Sequence, residues 1–255
     1  MNCLIETALL THGLRSIANE ELAQSWHCPD AILAWVDGGE LKLGPIGEYL
    51  PFRERSEELI RIDCDHLEEA LQTGASGAMA VCRRLDIPMA ITCGMGGIGD
   101  LRGEELCPDL PALMNIPVAL ISTSPKDMLD RPATLDWLRR HGVHTAGEPC
   151  TGYLFCGEPV ALELPLSSCN NEAAVRRLTA NGGLLLLNPI PEKERVQDRS
   201  ILVDAIKAGK QAEAEGHYYH PAANGEIDRR TDGYSSRIQL ESIQQNYLLA
   251  KSIMD

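Results

Sequence analysis

The sequence has few positive charges for its length. Lysine and arginine number 23 against 37 aspartates and glutamates, so the 255 residues carry a formal net charge of -14. Binding to a nucleic acid backbone needs clustered lysine and arginine, and the composition therefore argues against that class of partner. The apolar fraction of 44% and charged fraction of 24% are ordinary for a soluble globular protein with a substantial core.

Long apolar runs are also missing. No stretch approaches the roughly 18 apolar residues of a membrane-spanning helix. The segment from Met1 to Glu6 lacks the basic and apolar regions of a signal peptide. We therefore expect a cytoplasmic protein with no membrane partner.

Cysteine pairs with redox or metal-binding spacing are absent as well. The nine cysteines include no Cys-x-x-Cys pair, and their odd number argues against a disulfide framework. Most are expected to be small buried hydrophobic residues. Cys93 and Cys107 flank a glycine-rich loop and could line a site, although buried packing is the stronger interpretation for each.

Lysine is scarce in the middle of the chain, where Lys126 is the only one between Lys42 and Lys193. It follows the apolar run Val118–Ile121, which is typical of a buried parallel strand. In open α/β sheets, ligands bind beyond the carboxyl ends of such strands. Lysine, unlike arginine, can lose its proton when desolvated and act as an amine nucleophile. The alternative is a solvated loop lysine.

Strand-like runs alternate with helical patterns along the chain, which predicts a layered α/β fold. Strands are predicted at 4–10, 31–36, 40–43, 59–62, 88–92, 118–121, 160–164 and 184–187, with a hairpin at 37–39. Helices are predicted at about 63–73, 75–86, 109–114, 133–140, 172–181 and 200–215, with a last amphipathic helix through 240–254. We expect a three-layer α/β/α architecture with a central mixed, largely parallel sheet. No repeat, linker or low-complexity tract is visible, so residues 1–255 are interpreted as one domain.

Glu6 lies within the first apolar run, Leu4–Leu10. A carboxylate there is costly unless it is paired or protonated, and a protonated carboxyl group would suit a general acid. The alternative is an edge strand with Glu6 facing water.

The glycine-rich loop from Thr92 to Gly99 could bring backbone N–H groups close to a phosphate, although it matches neither a P-loop nor a Rossmann fingerprint. Glu104, Glu105 and Asp109 follow it and could hold a divalent cation through waters. Acidic residues at a helix start are the stronger interpretation from the residues alone. The motif 217–220 has two histidines, but a turn with packed aromatic rings is favoured over a metal site.

In their order along the chain, these motifs resemble the pseudouridine-5'-phosphate glycosidase family, which includes indigoidine synthase A-like proteins and C-glycosynthases. The corresponding segments are Leu4-Ile-Glu-Thr-Ala-Leu-Leu-Thr-His-Gly13, Val36-Asp-Gly-Gly-Glu-Leu-Lys-Leu-Gly44, Thr92-Cys-Gly-Met-Gly-Gly-Ile98, Ser124-Pro-Lys-Asp-Met-Leu-Asp130 and Gly183 to Glu192. The likeness extends over nearly the whole chain.

The resemblance implies that Lys126 attacks C1' of a ring-opened ribose 5-phosphate and forms an imine, with Glu6 as proton donor to the carbon of a base such as uracil. Gln239 takes the place of a catalytic asparagine. The resemblance also implies substrate contacts at Thr92, Ala78, Cys107, Pro108 and Asp109, with Arg61 as a loose substitute for a phosphate-binding lysine. It further implies Mn²⁺ at Glu105 and a homotrimer.

Departures from the family pattern leave the substrate open. Cys107 replaces a serine, Gln239 replaces the asparagine, and the family's Lys-x-x-Thr-Pro-Phe becomes 217–222 here. These changes favour retained imine chemistry on an altered substrate. An aldolase-like enzyme acting on another sugar phosphate and a non-catalytic metabolite-binding protein are the alternatives.

Overall fold

The structure, a computed structural model, describes residues 1–55, 75–99, 107–217 and 219–254, and the backbone of 61–62 and 72–73. Among the described residues, no helix combines the length and apolar character needed to cross a membrane. None of the cysteines in these ranges forms a disulfide.

The described elements alternate as expected for an α/β chain. The strands are β1 (Cys3–Ile5), β2 (Leu33–Asp37), β3 (Glu40–Gly44), β4 (Arg61–Ile62), β5 (Gln72–Thr73), β6 (Met89–Ile91), β7 (Gly94–Met95), β8 (Ala119–Ser122), β9 (Ser124–Pro125), β10 (His144–Gly147) and β11 (Leu184–Leu187). The helices are α1 (Asn19–Ser25), α2 (Ile46–Arg53), α3 (Ala75–Arg84), α4 (Asp109–Asn115), α5 (Arg131–Arg140), α6 (Glu172–Leu178), α7 (Ser200–Ala214), α8 (Tyr219–Arg230) and α9 (Tyr234–Met254). A π-helical turn covers Leu9–Gly13, and 3₁₀ turns cover Leu166–Cys169 and Glu192–Glu194.

Nine of these strands form one sheet in the order β10-β11-β8-β6-β1-β2-β5-β4, with β3 paired to β2. The pairs from β10 through β2 are all parallel, whereas β2 pairs antiparallel with β3 and with β5. The short strands β7 and β9 form a second, parallel pair. The predicted mixed, largely parallel sheet is thus confirmed.

Apolar side chains of the central strands contribute to two separate cores, because successive side chains of a strand point to opposite faces of the sheet. Leu4, Ala90 and Leu120 face the layer that contains α3, α4 and α5. Their neighbours on the same strands, such as Ile5 and Ile91, face α1, α2, α7, α8 and α9. The sheet therefore lies between two helical layers, which confirms the three-layer α/β/α fold.

The hairpin and most helices lie where the sequence predicts them. Gly38 and Gly39 have φ of 59° and 81°, which suits the tight turn between β2 and β3. Gly142 has φ of 76° just beyond α5, as expected for the predicted helix stop. The predicted apolar face of α9 is buried at Leu240, Ile243, Tyr247 and Ala250, and Met254 packs against the same core.

Three predicted elements are wrong in extent or type. The first strand ends at Ile5 instead of Leu10, because a π-helical turn begins at Leu9. Residues 72–73 form β5 and not the end of a helix, and most of the predicted helix 63–73 lies outside the described residues. Among the described residues, 160–164 make isolated bridges instead of a strand, with Val160 paired to Cys150 and Leu164 to Ala146.

Candidate active site

Glu6 is the first residue after β1, and it is buried with 4% of its surface exposed. Its carboxylate accepts hydrogen bonds from the backbone N–H groups of Ala8 and Leu9. The Thr92 hydroxyl donates to Glu6 Oε1 over 3.3 Å. Since β1 lies between β2 and β6, the edge-strand alternative for Glu6 is wrong.

Arg53 on α2 stabilises the turn that follows Glu6. Its guanidinium donates to the carbonyl oxygens of Leu10, Leu14 and Ile17 over 2.6 to 2.8 Å. Burial lowers the pKa of Arg53. Arg53 thereby satisfies carbonyl groups at the carboxyl side of the π-helical turn, which helix termini otherwise leave unpaired.

The first half of the site forms where three adjacent parallel strands end. Ile5, Ile91 and Ile121 are register partners across β1, β6 and β8. Glu6 and Thr92 follow the first two strands directly, and the Lys126 segment follows the third. With strands about 4.8 Å apart, the Glu6 backbone lies roughly 10 Å from the end of β8.

Lys126 is held by the short strand pair and is partly buried. It directly follows β9, whose Ser124 and Pro125 pair with Gly94 and Met95 of β7. The Lys126 N–H donates to the Met95 carbonyl oxygen over 3.2 Å. Lys126 therefore lies just past the carboxyl end of a buried strand, as the sequence predicts, and the structure also places its backbone beside the glycine-rich loop.

Helix α9 lies over this part of the site and forms one of its walls. The Gln239 amide is buried, donates to the Ser235 carbonyl oxygen over 3.0 Å, and accepts from the Tyr153 hydroxyl over 2.9 Å. The same hydroxyl lies 3.1 Å from Cys93 Sγ. Burial raises the pKa of the Cys93 thiol to about 11, so it stays protonated at neutral pH.

Sequence reasoning missed further polar side chains of this wall. Asn246 donates to the Thr92 carbonyl oxygen over 2.7 Å and accepts from the Asn188 amide over 3.0 Å. Ser242 shares a hydrogen bond with Thr123 just beyond β8. The spacing of positions 239, 242 and 246 places one polar stripe on α9, and that pattern was the available signal.

The amino end of α3 carries a second group of polar atoms. Asp109 is buried, and its carboxylate accepts from the N–H of Ser76 over 3.2 Å and of Gly96 over 2.8 Å. Ser76 is 1% exposed, and its hydroxyl has no hydrogen-bond partner among the described residues. An unpaired buried hydroxyl at a helix amino terminus is suited to a polar ligand.

Three of the four remaining predicted substrate residues lie in or next to α3 and α4, and the fourth lies toward the distant edge of the sheet. Cys107 and Pro108 immediately precede α4, and Cys107 packs so closely on Gly96 that a Cβ there would lie 1.9 Å from its sulfur. Ala78 is fully buried in α3, two residues after Ser76. Arg61 lies in β4, three strand spacings from β1, so the structure does not bring its backbone to the other residues.

Two N–H groups of the glycine-rich loop bind side chains of the neighbouring helices α4 and α5. Gly96 donates to Asp109, and Ile98 donates to the Thr134 hydroxyl over 2.9 Å. These two N–H groups are therefore engaged with side chains in this structure.

The predicted metal ligand Glu105 and its neighbour Glu104 lie outside the described residues. Within the described part of the chain, no group of three or more His, Cys, Asp or Glu side chains could hold a metal ion. In the 217–220 motif, the rings of Tyr219 and His220 pack edge to face with centroids 5.4 Å apart. Packed aromatic rings were expected there, but Tyr219 begins helix α8 instead of lying in a turn.

The chain is similar to known enzymes over most of its length. A pseudouridine-5'-phosphate glycosidase of Methylobacterium nodulans is 27% identical, covering 98% of this chain and 81% of the relative. The enzyme of the same name from Saccharopolyspora erythraea is 28% identical, covering 98% and 90%.

Two solved structures share the fold. The prealnumycin C-glycosynthase AlnA in complex with ribulose 5-phosphate has a TM-score of 0.74 at 20% identity, covering 98% of this chain and 91% of that one. An indigoidine synthase A-like protein of Thermotoga maritima has a TM-score of 0.74 at 18% identity with the same coverage. The model of the indigoidine synthase A like protein family matches residues 66–254. This chain therefore belongs to the indigoidine synthase A-like family.

Proposed function

We propose that this protein is a C-glycosidase or C-glycosynthase that breaks or forms the carbon–carbon bond between ribose 5-phosphate and a base such as uracil. The observation that carries the proposal is the meeting of the Glu6, Thr92 and Lys126 segments at the ends of three adjacent parallel strands. Relatives named as pseudouridine-5'-phosphate glycosidases, aligned over 98% of this chain, support it.

In the synthetic direction, the Lys126 amine adds to the C1' aldehyde of open-chain ribose 5-phosphate. Loss of one water molecule leaves an imine, whose carbon is electrophilic. A carbon of the base attacks C1', the new bond forms, and Glu6 accepts the proton that the base carbon loses. The 4'-hydroxyl oxygen then bonds to C1' as the C1'–N bond breaks, and the hydroxyl proton passes to the departing Lys126 amine. Cleavage is the same sequence reversed, with Glu6 as proton donor.

The polar atoms at the amino end of α3 support a sugar-phosphate site. The Ser76 hydroxyl, which has no partner among the described residues, and the helix amino terminus suit phosphate oxygens. Asp109 retains lone pairs to which sugar hydroxyls can donate. We infer that the sugar phosphate extends from Lys126 toward this helix. A ribulose 5-phosphate complex of a structural neighbour supports this class of ligand.

The metal stays a proposal carried by the family resemblance. Glu105 would hold Mn²⁺ together with waters, and such an ion would help to bind the phosphate.

Reductive trapping tests the role of Lys126. The protein is incubated with ribose 5-phosphate and borohydride, and intact and peptide mass spectra then locate the adduct. We expect a pentitol phosphate on Lys126 and its loss in Lys126→Ala. Lys193→Ala is the matched control, because Lys193 is an exposed lysine of the same chain and its loss leaves the adduct unchanged.

Two outcomes contradict the proposal. One is labelling of another lysine, and the other is the absence of any adduct although ribose 5-phosphate binds by calorimetry. Turnover completes the test, since the parent protein with uracil and ribose 5-phosphate is expected to form pseudouridine 5'-phosphate. An adduct without any product from uracil would retain the imine and reject uracil as the base.

A further inference from the structure

Asp127, the residue next to Lys126, binds a distant segment of the chain. Its Oδ1 accepts from the Tyr153 N–H over 2.8 Å, and its Oδ2 accepts from the N–H groups of Leu154 and Phe155 over 2.7 and 3.0 Å. Three consecutive backbone donors therefore converge on one carboxylate. Such charge-assisted hydrogen bonds are stronger and more directional than neutral ones.

The backbone of this segment is shaped to reach Asp127. Gly152 has φ of 126°, in the region that favours glycine, and a Cβ there would lie 2.1 Å from the Phe155 carbonyl oxygen. The same Cβ would lie 2.6 Å from Arg131 Nη1. Desolvation raises the pKa of Asp127, while the three N–H groups and the positive charge of Arg131 act against that shift.

Tyr153 carries the connection from Asp127 to helix α9. Its hydroxyl donates to Gln239 Oε1, and its ring packs on Gly94, where a Cβ would come within 2.7 Å of the ring. Gly94 is paired with Ser124, two residues before Lys126. These contacts form one circuit: Asp127 binds the Tyr153 N–H, the Tyr153 ring packs on Gly94, and Gly94 pairs with Ser124 in the Lys126 loop. The Tyr153 hydroxyl connects this circuit to Gln239, which by the family resemblance takes the place of a catalytic asparagine.

We propose that Asp127 is a positioning residue that fixes the Lys126 loop relative to Gln239 through Tyr153. This inference rests on the proposed imine chemistry at Lys126. Asp127 need not touch the substrate, because its effect passes through the loop backbone and the Tyr153 hydroxyl. Small misplacements of a reacting group cost large factors in rate, so loosening the circuit slows imine formation more than it weakens substrate binding.

The test compares two variants that break the circuit at different points. Asp127→Asn replaces one carboxylate oxygen by an amide donor, so at least one of the three backbone N–H groups loses its acceptor. Tyr153→Phe keeps the ring on Gly94 and removes the hydrogen bond to Gln239. Asp136→Asn is the matched control, because the contacts of Asp136 within the described part of the chain are surface ion pairs with Arg139 and Arg140 on α5.

Rates of reductive trapping are measured over a range of ribose 5-phosphate concentrations. For both circuit variants we expect a maximal rate roughly 10- to 100-fold below the parent protein. The half-saturating concentration should stay within about threefold of the parent value, because the substrate contacts remain. The double variant should trap at about the rate of the slower single variant, since residues that act in one circuit are not additive. Asp136→Asn should match the parent.

A parent-like rate in Asp127→Asn, or additive losses in the double variant, overturns the positioning role. If Asp127→Asn does not fold, Tyr153→Phe decides alone: a parent-like rate overturns the role, and a slowed rate with unchanged half-saturation supports it. A parent protein that gives no adduct on Lys126 removes the proposed function and this role together. A parent protein that does give the adduct leaves the proposed function standing whatever the variants show.

Discussion

At the scale of single residues, the hydrogen bond from Thr92 to Glu6 links two neighbouring strand ends inside the site. Thr92→Val removes the hydroxyl at nearly constant shape. We expect the free energy of unfolding to fall by about 1 kcal/mol, because a buried acceptor loses one of its donors. Urea unfolding followed by circular dichroism measures the change.

Thr92→Ser is the control for this prediction, because it keeps the donor and loses only a methyl group. Equal stability of the valine variant and the parent protein would contradict the prediction. A larger loss in the serine variant than in the valine variant would show that packing outweighs the hydrogen bond.

Sequence patterns could place Lys126 and the glycine-rich loop that begins at Thr92 just beyond apolar strands, and they placed Glu6 within the first apolar run. In a parallel sheet the carboxyl ends of neighbouring strands lie at the same edge, so the residues that follow those strands come close together. Tyr153 and Asp127 could not be found in the same way. Their roles depend on contacts between segments about 26 residues apart, and a loop conformation with positive φ at Gly152 makes those contacts possible.

At the scale of elements, the glycine-rich loop and the start of α4 pack so closely that position 96 has no room for a side chain. A Cβ at Gly96 would lie 1.9 Å from Cys107 Sγ and 3.1 Å from Asp109 Oδ2. Gly96→Ala should therefore lower the free energy of unfolding by about 1–3 kcal/mol, as overpacking does. Thermal or urea unfolding measures the loss.

Two further variants make this prediction specific. Adding Cys107→Ala should restore part of the lost stability, because it removes the sulfur that the new methyl group meets. Gly47→Ala in α2 is the matched control, since a Cβ there meets nothing within 4 Å and alanine favours helix. A Gly96→Ala protein as stable as Gly47→Ala would contradict the close packing.

Element prediction succeeded where a buried run has partners along its whole length, as in β8 and β11. It was wrong for residues 4–10 because the Glu6 carboxylate accepts the N–H groups of Ala8 and Leu9, which favours a turn over a longer strand. The apolar alternation of residues 160–164 carries no information about whether a partner strand exists. Pairing depends on tertiary contacts, which the local pattern does not encode.

At the scale of the whole molecule, we expect buried thiols and phenols to contribute to the loss of stability in alkali. Burial raises the pKa of Cys93 from 9.0 to about 11 and of Tyr49 from 10.0 to about 12. Their stabilising contribution is complete below the unfolded-state pKa values and is lost as pH rises through the folded-state values. We expect the free energy of unfolding to decrease between about pH 9 and 12.

Urea unfolding at a series of pH values measures this decrease. Tyr49→Phe is the informative variant, because it removes one of the raised groups and should flatten the upper part of the decline. It also removes the hydrogen bond with Thr11, so its stability near neutral pH should be lower than that of the parent. A constant free energy of unfolding across the alkaline range would contradict the prediction.

The single domain over residues 1–255 and the homotrimer remain predictions, the first from the absence of linkers and the second from the family resemblance. The alternation of strand-like and helical patterns explains why sequence reasoning reached the fold class more readily than the assembly. The alternation of apolar strands and helices within one chain indicates a layered fold, whereas subunit contacts depend on surfaces that this pattern does not describe.

The wall formed by α9 has a consequence for biosynthesis. Asn246 follows Glu6 by 240 residues in the sequence, yet its amide binds the Thr92 carbonyl oxygen beside Glu6. During translation this wall of the site can therefore form only after α9 has been synthesised and has packed on the sheet.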